Sequence, residues 1–212
     1  MIDIEETLKS VRVIPVIVIE DASKAVEVAK ALVKGGLNVL EVTFRTAAAE
    51  AAIRAIREEV PEAVVGAGTL ISKAQLHAAK AAGAVFGVAP GFDADVVAEA
   101  QQIGLPFVPG IVTASELTCA LNAGLKVVKF FPAEAAGGIA YIKNLLGAFR
   151  FTGVKFMPTG GINRSNMSDY LSVKEVLAIG GSWLVPKDAL AEGRWDEITR
   201  LAADAVSALN EK

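Results

Sequence analysis

Eight short runs of β-branched and apolar residues recur about every 20 to 27 residues, each followed by an Ala-rich amphipathic stretch. The runs are "VRVIPVIVI" from Val11, "VLEVTF" from Val39, "AVVGAGTL" from Ala63, "VFGVAP" from Val85, "PFVPGI" from Pro106, "VVKFFP" from Val127, "VKFMPTG" from Val154 and "VLAIGGSWLV" from Val176. This alternation constrains the fold more than any other feature. Strands separated by helices pair in parallel, and parallel strands covered on both faces read as continuous apolar runs. The intervening helices are expected at Ala22–Lys34, Ala47–Glu59, Ser72–Ala82, Ala94–Ile103, Ala114–Asn122, Ile139–Phe149, Ser165–Leu171 and near Trp195–Leu209. Several end in one device, seen in "KGGLNVLEV", "AAGAVFGV", "QIGLPFVP" and "NAGLKVVKF", where a glycine turns the helix into the next strand. With 212 residues and no linker, the pattern predicts an α/β fold: a (β/α)8 TIM barrel with a short N-terminal helix around Ile4–Lys9, as one domain spanning 1–212. A doubly wound open sheet is the runner-up. Its dinucleotide fingerprint is missing, since "GAGTLI" from Gly66 lacks the third glycine.

Composition narrows the function classes. A hydrophobic content of 53% supplies a large core, yet no run approaches the roughly 20 apolar residues that span a bilayer. The opening "MIDIEETLKS" is acidic and lacks the basic and apolar regions of a signal peptide. One cysteine, Cys119, excludes an internal disulfide and fits a reducing cytoplasm; it is expected as a small buried helix residue. A net charge of −3 without a Lys/Arg cluster argues against nucleic acid and anionic membranes as partners. A lone histidine, His77 in a helical stretch, argues against a His-based metal centre or triad.

Active sites of parallel barrels lie at the C-terminal ends of the strands, so polar residues late in a strand draw attention. In "VLEVTFRT" the period of two puts Leu40, Val42 and Phe44 on the helix side and Glu41, Thr43 and Arg45 on the inner side and mouth. No packing argument requires a carboxylate there. Arg45 is either a clamp for a substrate carboxylate or a partner for Glu41. The same alternation groups Val127, Lys129 and Phe131 opposite Val128, Phe130 and Pro132. Burial disfavours the charged form of a lysine, and a neutral amine is what attacks a carbonyl. The plainer alternative is a structural Lys129–Glu41 ion pair. Lys126 and Lys155 fall at strand starts and are expected at the solvated rim, and Lys143 falls in a helix. Two glycine pairs, in "PTGGIN" and "IGGSWL", sit where the last two loops of such a barrel often hold phosphate on backbone N–H groups, with Ser182 as an added hydroxyl.

With Glu41, Lys129 and the glycine pairs in place, the chain resembles the 2-keto-3-deoxy-6-phosphogluconate (KDPG) aldolase family, class I aldolases also active on 4-hydroxy-2-oxoglutarate. The resemblance runs through "IPVIVIED", "GGLNVLEVTFRT", "VVGAGTL", "KFFPAE", "PTGGI" and "IGGSWLVP". It implies cleavage of KDPG, a phosphorylated 2-keto acid, to pyruvate and glyceraldehyde 3-phosphate, a step of the Entner–Doudoroff pathway. It also implies a cytoplasmic homotrimer with no metal and no cofactor beyond a lysine Schiff base. By matching motif, Lys129 looks like the Schiff-base lysine and Glu41 like the acid/base. Arg45 and Thr69 look like the carboxylate binders, and Pro90 and Phe131 like walls of the pyruvyl pocket. Thr159, Gly160, Gly161 and Ser182 look like the receivers of the phosphate end. The chain departs from the family pattern at Phe44, Ala89, Met157 and Ala136, none of which is the lysine or the glutamate. Other readings are an aldolase for the galactonate epimer, a phosphosugar isomerase or epimerase using Glu41 without covalent chemistry, and a non-catalytic scaffold.

Overall fold

The fold is described from a computed structural model covering residues 2–210. Met1, Glu211 and Lys212 of the expected 1–212 domain lie outside the described residues. Helix α1 (Ile4–Val11) is capped by Asp3, whose carboxylate accepts from the N–H groups of Glu5 and Glu6. It runs past the expected Lys9 and ends at Arg12, which adopts a left-handed φ of 62°. The first strand is therefore shorter than the apolar run that begins at Val11: β1 is Val13–Ile17.

Strand and helix then alternate. In chain order come α2 (Ala25–Lys34), β2 (Val39–Thr43), α3 (Ala49–Glu59), β3 (Val64–Gly68), α4 (Lys73–Ala81), β4 (Gly87–Val88) and α5 (Ala94–Gln102). The run "PFVPGI" gives two pieces, β5 (Phe107–Val108) and β6 (Gly110–Ile111), interrupted at Pro109, which has no N–H to give a ladder. Next are α6 (Ala114–Asn122), β7 (Val127–Phe130), α7 (Gly138–Phe149), β8 (Lys155–Pro158), α8 (Met167–Leu171) and β9 (Ile179–Gly181). Last come α9 (Lys187–Glu192), a short helix between the last expected strand and the last expected helix, and α10 (Trp195–Asn210).

The glycine device recurs as expected. Gly36, Gly83, Gly104 and Gly124 all have positive φ. In each case the following residue donates its N–H back to a carbonyl of the last helical turn, as Leu37 does to Leu32 and Leu105 to Ala100. An L side chain is rarely tolerated there, which is why the same residue type closes four different helices.

All strand pairs are parallel. One curled sheet has the order β5-β4-β3-β2-β1-β9, and the other β6-β7-β8. The first strand pairs with the last, and the order otherwise follows the sequence, so the doubly wound alternative is overturned. Two isolated parallel bridges, Phe156↔Val176 and Thr159↔Gly180, join β8 to the segment leading into β9 and to β9 itself.

Two apolar clusters lie on opposite faces of the sheet. Leu40, Val42, Val128 and Phe130 pack with the helices, where the Phe130 ring stacks on Tyr141 of α7 at 5.8 Å. Ile14, Val39, Val88, Val108, Val127 and Met157 fill the inner face together with Leu8, which α1 brings under the N-terminal ends of the strands. Apolar side chains fill this lower part of the interior, so a polar site is confined to the C-terminal part. Cys119 is exposed on α6, against expectation; a nine-residue amphipathic helix puts Leu117 and Ala120 inward and turns position 119 to solvent. Among the described residues no helix is long and apolar enough to cross a membrane.

Candidate active site

The geometry centres on β2 and β7. Glu41 and Lys129 both point to the inner face at the level where the apolar filling stops. Lys129 Nζ lies 3.1 Å from Glu41 Oε1 and 3.4 Å from Oε2. The residues are 5% and 1% exposed and are 88 positions apart in sequence. Burying such a pair gives little net stability compared with packed apolar residues, because both charges lose their water. Its persistence at the C-terminal side of the strands therefore calls for a chemical reason.

Neighbouring elements make room for it. Gly68 ends β3 beside Glu41, and a Cβ there would sit 2.1 Å from Glu41 Oε1. The "GAG" segment is thus glycine-rich for a steric reason, with Gly66 doing the same for the Phe86 ring. Thr69 follows Gly68 with a φ of 61°, a left-handed conformation that is an outlier for a β-branched residue. The backbone turns sharply there. Thr43, buried on the same face as Glu41, donates its hydroxyl to the Ile17 carbonyl at 3.0 Å and ties the ends of β2 and β1 together.

Phe131 follows β7 with its ring centroid 5.6 Å from Lys129 Nζ. Gly110, the register partner of Lys129 on β6, leaves space for Pro90: a Cβ there would lie 2.2 Å from the Pro90 carbonyl group. Pro90 also lines an outer cleft of about 230 Å³ with Ile71, Phe92 and Phe107, which includes neither Lys129 nor Glu41. Arg45 is exposed beyond the end of β2. Among the described residues it forms no ion pair, so the alternative of a Glu41–Arg45 pair is not what the molecule contains. Lys126 and Lys143 are exposed and Lys155 is half-buried, as their positions predict.

A second group lies at the ends of β8 and β9. Thr159 is 6% exposed, and its Oγ1 has no hydrogen-bond partner among the described residues. Gly180 permits this, because a Cβ there would be 2.3 Å from that oxygen. A buried, unpaired hydroxyl costs free energy, which fits a position reserved for a ligand's polar atom. Gly160 and Gly161 follow with φ of 101° and 78°. The N–H groups of Gly161 and of exposed Ser182 reach no backbone carbonyl among the described residues, whereas that of Gly160 faces Gly180 across the Thr159–Gly180 bridge. The two groups meet at Phe131, whose ring would lie 3.3 Å from a Cβ on Gly160. The structure thus brings together Lys129, Glu41, Phe131, Thr159 and Gly160, with Gly161 next along the same turn. Thr69 and Pro90 lie one step further out, and among the described residues no hydrogen bond or ion pair joins Arg45 or Ser182 to Lys129 or Glu41. Among the described residues no cluster of three or more His, Cys, Asp or Glu side chains is arranged to hold a metal ion.

Comparison with known proteins bears on this arrangement. Residues 4–201 match the family model for aldolases described as "KDPG and KHG aldolase". The KHG/KDPG aldolase of Escherichia coli (strain K12) is 51% identical over 95% of this chain and 94% of its own length. The KDPG aldolase of Legionella pneumophila, solved with pyruvate captured as a covalent carbinolamine, superposes with a TM-score of 0.91 at 41% identity, covering 95% of this chain and 97% of that one. The 2-keto-3-deoxy-6-phosphogluconate aldolase of Zymomonas mobilis ZM4, solved with 3-phosphoglycerate, gives a TM-score of 0.87 at 42% identity over 95% and 94%. A family match across nearly the whole chain, on a parallel α/β scaffold that buries a lysine against a glutamate, means that this chain belongs to the KDPG and KHG aldolase family.

Proposed function

We propose that the chain is a class I aldolase that cleaves KDPG to pyruvate and glyceraldehyde 3-phosphate, and that it also cleaves 4-hydroxy-2-oxoglutarate to pyruvate and glyoxylate. The observation that carries the reading is the buried Lys129–Glu41 contact at 3.1 Å. A proton passed from Nζ to Glu41 frees the amine to attack the C2 keto group. Glu41 returns its proton to the carbinolamine hydroxyl, which leaves as water to give an iminium, and the iminium draws the electron pair of the C3–C4 bond as it breaks. Glu41, acting through a water, takes the proton of the C4 hydroxyl as the aldehyde leaves. The enamine is protonated at C3, and hydrolysis returns pyruvate and free Lys129. The carbinolamine of pyruvate in the Legionella enzyme supports covalent attack on the keto carbon. The electron sink is the imine, so the reaction requires no metal.

Arg45 and Thr69 take the substrate carboxylate in this reading, with Pro90 and Phe131 walling the pyruvyl pocket. Thr159 supplies its unpaired hydroxyl, and Gly160, Gly161 and Ser182 supply N–H and O–H groups to the phosphate end. The two sheets act as one closed (β/α)8 barrel forming a single domain over 1–212. The single-residue gap at Pro109 and the two bridges from β8 to the β9 side support closure. The protein works as a cytoplasmic homotrimer on a phosphorylated 2-keto acid. An isomerase with Glu41 as base leaves the buried lysine without a purpose, whereas the aldolase uses both members of the pair. Release of pyruvate from KDPG, from its galactonate epimer and from 4-hydroxy-2-oxoglutarate, measured side by side, tests the reading. The account expects KDPG to be cleaved with the highest kcat/KM, and preference for the epimer would overturn the substrate assignment.

A further inference from the structure

Besides Lys129–Glu41, a second contact between distant ionisable side chains lies at this end of the molecule, and the mechanism does not use it. Tyr170 on α8 is buried, and its hydroxyl donates to Oε1 of Glu134, 36 residues earlier in the turn after β7. Burial, and then the Glu134 carboxylate, hold this hydroxyl above the ordinary tyrosine range, so it remains a donor.

Glu134 also grips the turn at residues 159–161. Its N–H donates to the Gly160 carbonyl at 3.0 Å, and the N–H of Ala133 donates to the Thr159 carbonyl at 2.8 Å. Its Cβ and Cγ fill the space beside Gly161, where a side chain would come within 2.6 Å. Asn166 Nδ2 holds the Gly161 carbonyl from the other side at 3.2 Å. The carbonyls of residues 159–161 are therefore all held by protein donors, while the N–H group of Gly161 is left over and that of Gly160 is engaged only at the Thr159–Gly180 bridge. The peptide planes of this turn have one orientation, and Glu134 is the residue that both bonds to the turn and is itself anchored, through Tyr170, to α8.

We propose that Glu134 and Tyr170 are positioning residues whose contact fixes the 159–161 turn so that the free N–H of Gly161 faces the phosphate of the substrate. The inference rests on the reading of that turn as the phosphate end of the site. It differs from a structural role in what it predicts. Loosening the turn weakens binding of the phosphorylated substrate while leaving the chemistry at Lys129 intact.

The test compares KDPG with unphosphorylated 4-hydroxy-2-oxoglutarate in the full-length protein and adds trapping of pyruvate on Lys129 by borohydride. Tyr170→Phe and Glu134→Ala are expected to raise KM for KDPG about tenfold, the loss of one hydrogen bond to a charged group. KM for the unphosphorylated substrate and the rate of trapping stay within about twofold of wild type on the same argument. Glu134→Gln keeps an acceptor for Tyr170 and restores most of the KDPG affinity. Glu134 is exposed, so its variants carry the test should Tyr170→Phe fail to fold. Equal losses on both substrates, or no change on either, overturn the inference. A wild-type protein that traps no pyruvate sinks the aldolase reading itself, a result separate from trapping that persists without a phosphate-specific effect.

Discussion

Lys129 and Arg194 are both paired with carboxylates, and the physics of the two pairings is opposite. Arg194 meets Asp188, Glu192 and Glu197, all within six residues of it, around the turn from α9 to α10. Its side chain is 36% exposed, and Asp188 and Glu192 are more exposed still. Water and salt screen such contacts, and losing one leaves a solvated charge. Among the described residues Lys129 meets one carboxylate, from a distant strand, and both are shut away from solvent. Removing that partner strands a buried charge. The exposed cluster can be read as local fastening, whereas the buried pair costs desolvation that only a function on the inner face explains.

The largest effect should come from separating stability from chemistry at the buried pair. Lys129→Ala abolishes aldol cleavage, and Glu41→Gln lowers kcat by about 10²- to 10⁴-fold, as loss of a general acid/base does. Each single change also lowers stability by about 3–5 kcal/mol, because one charge stays buried alone. The double variant Lys129→Met/Glu41→Leu is inactive yet regains most of that stability in chemical denaturation. A double variant less stable than either single one would break the contrast and make the pair a structural fastening.

A smaller effect tests the space around Glu41. Gly68→Ala forces a methyl group into the carboxylate's position, which overpacks the site by about 1–3 kcal/mol. It should also cost kcat on the order of 10²-fold, since small displacements of catalytic groups are expensive. Steady-state kinetics with KDPG check this; unaltered kcat would mean that Glu41 can work from elsewhere.

Smaller again is the effect expected at the surface. Arg194→Ala should leave kcat and KM unchanged and lower Tm slightly at low ionic strength, with the difference fading as salt is added. Thermal unfolding across a salt series decides the point. A turnover defect would show that the α9–α10 turn reaches the site.

The smallest effect concerns acid. Burial raises the Glu116 carboxyl, but the N–H groups of Thr113 and Val112 and the Thr113 hydroxyl outweigh it and hold the carboxyl below the usual glutamate range. A group held low in the folded state stabilises above its unfolded value and loses that contribution as pH falls through the folded one. Glu116→Gln should therefore lower Tm slightly at neutral pH, where the contribution is full, with the difference from wild type closing as pH falls below the ordinary glutamate range, so that the acid limb is flatter. An unchanged acid limb would mean that these hydrogen bonds do not hold the Glu116 carboxyl low.

The contrast between the two regions also explains what could be read from sequence. Lys129 and Glu41 were legible because a period of two in "VVKFFP" and "VLEVTF" separates an inner from an outer face, and a charge on the inner face stands out. The parallel architecture was legible because helices that end on glycine recur between apolar runs. Space-making was not, since the reason for Gly68 is Glu41 and the reason for Gly180 is Thr159, both on other strands. The tie between Glu134 and Tyr170 was hidden for the same reason, as nothing local links residues 36 positions apart. The signals for α9 were present, with Pro186 before it and Gly193 after it, but six residues are too few to show a helical period. Cys119 misled because an Ala-rich helix offers little contrast between its faces.

The mechanism proposed above requires Lys129 to bond covalently to the keto acid. Intact mass after treatment with pyruvate and sodium borohydride, followed by peptide mapping, tests it most directly. One reduced pyruvate adduct per chain is expected, on the peptide containing Lys129 and absent from Lys129→Ala. A folded wild-type protein that remains unmodified, or an adduct on another lysine, would contradict it.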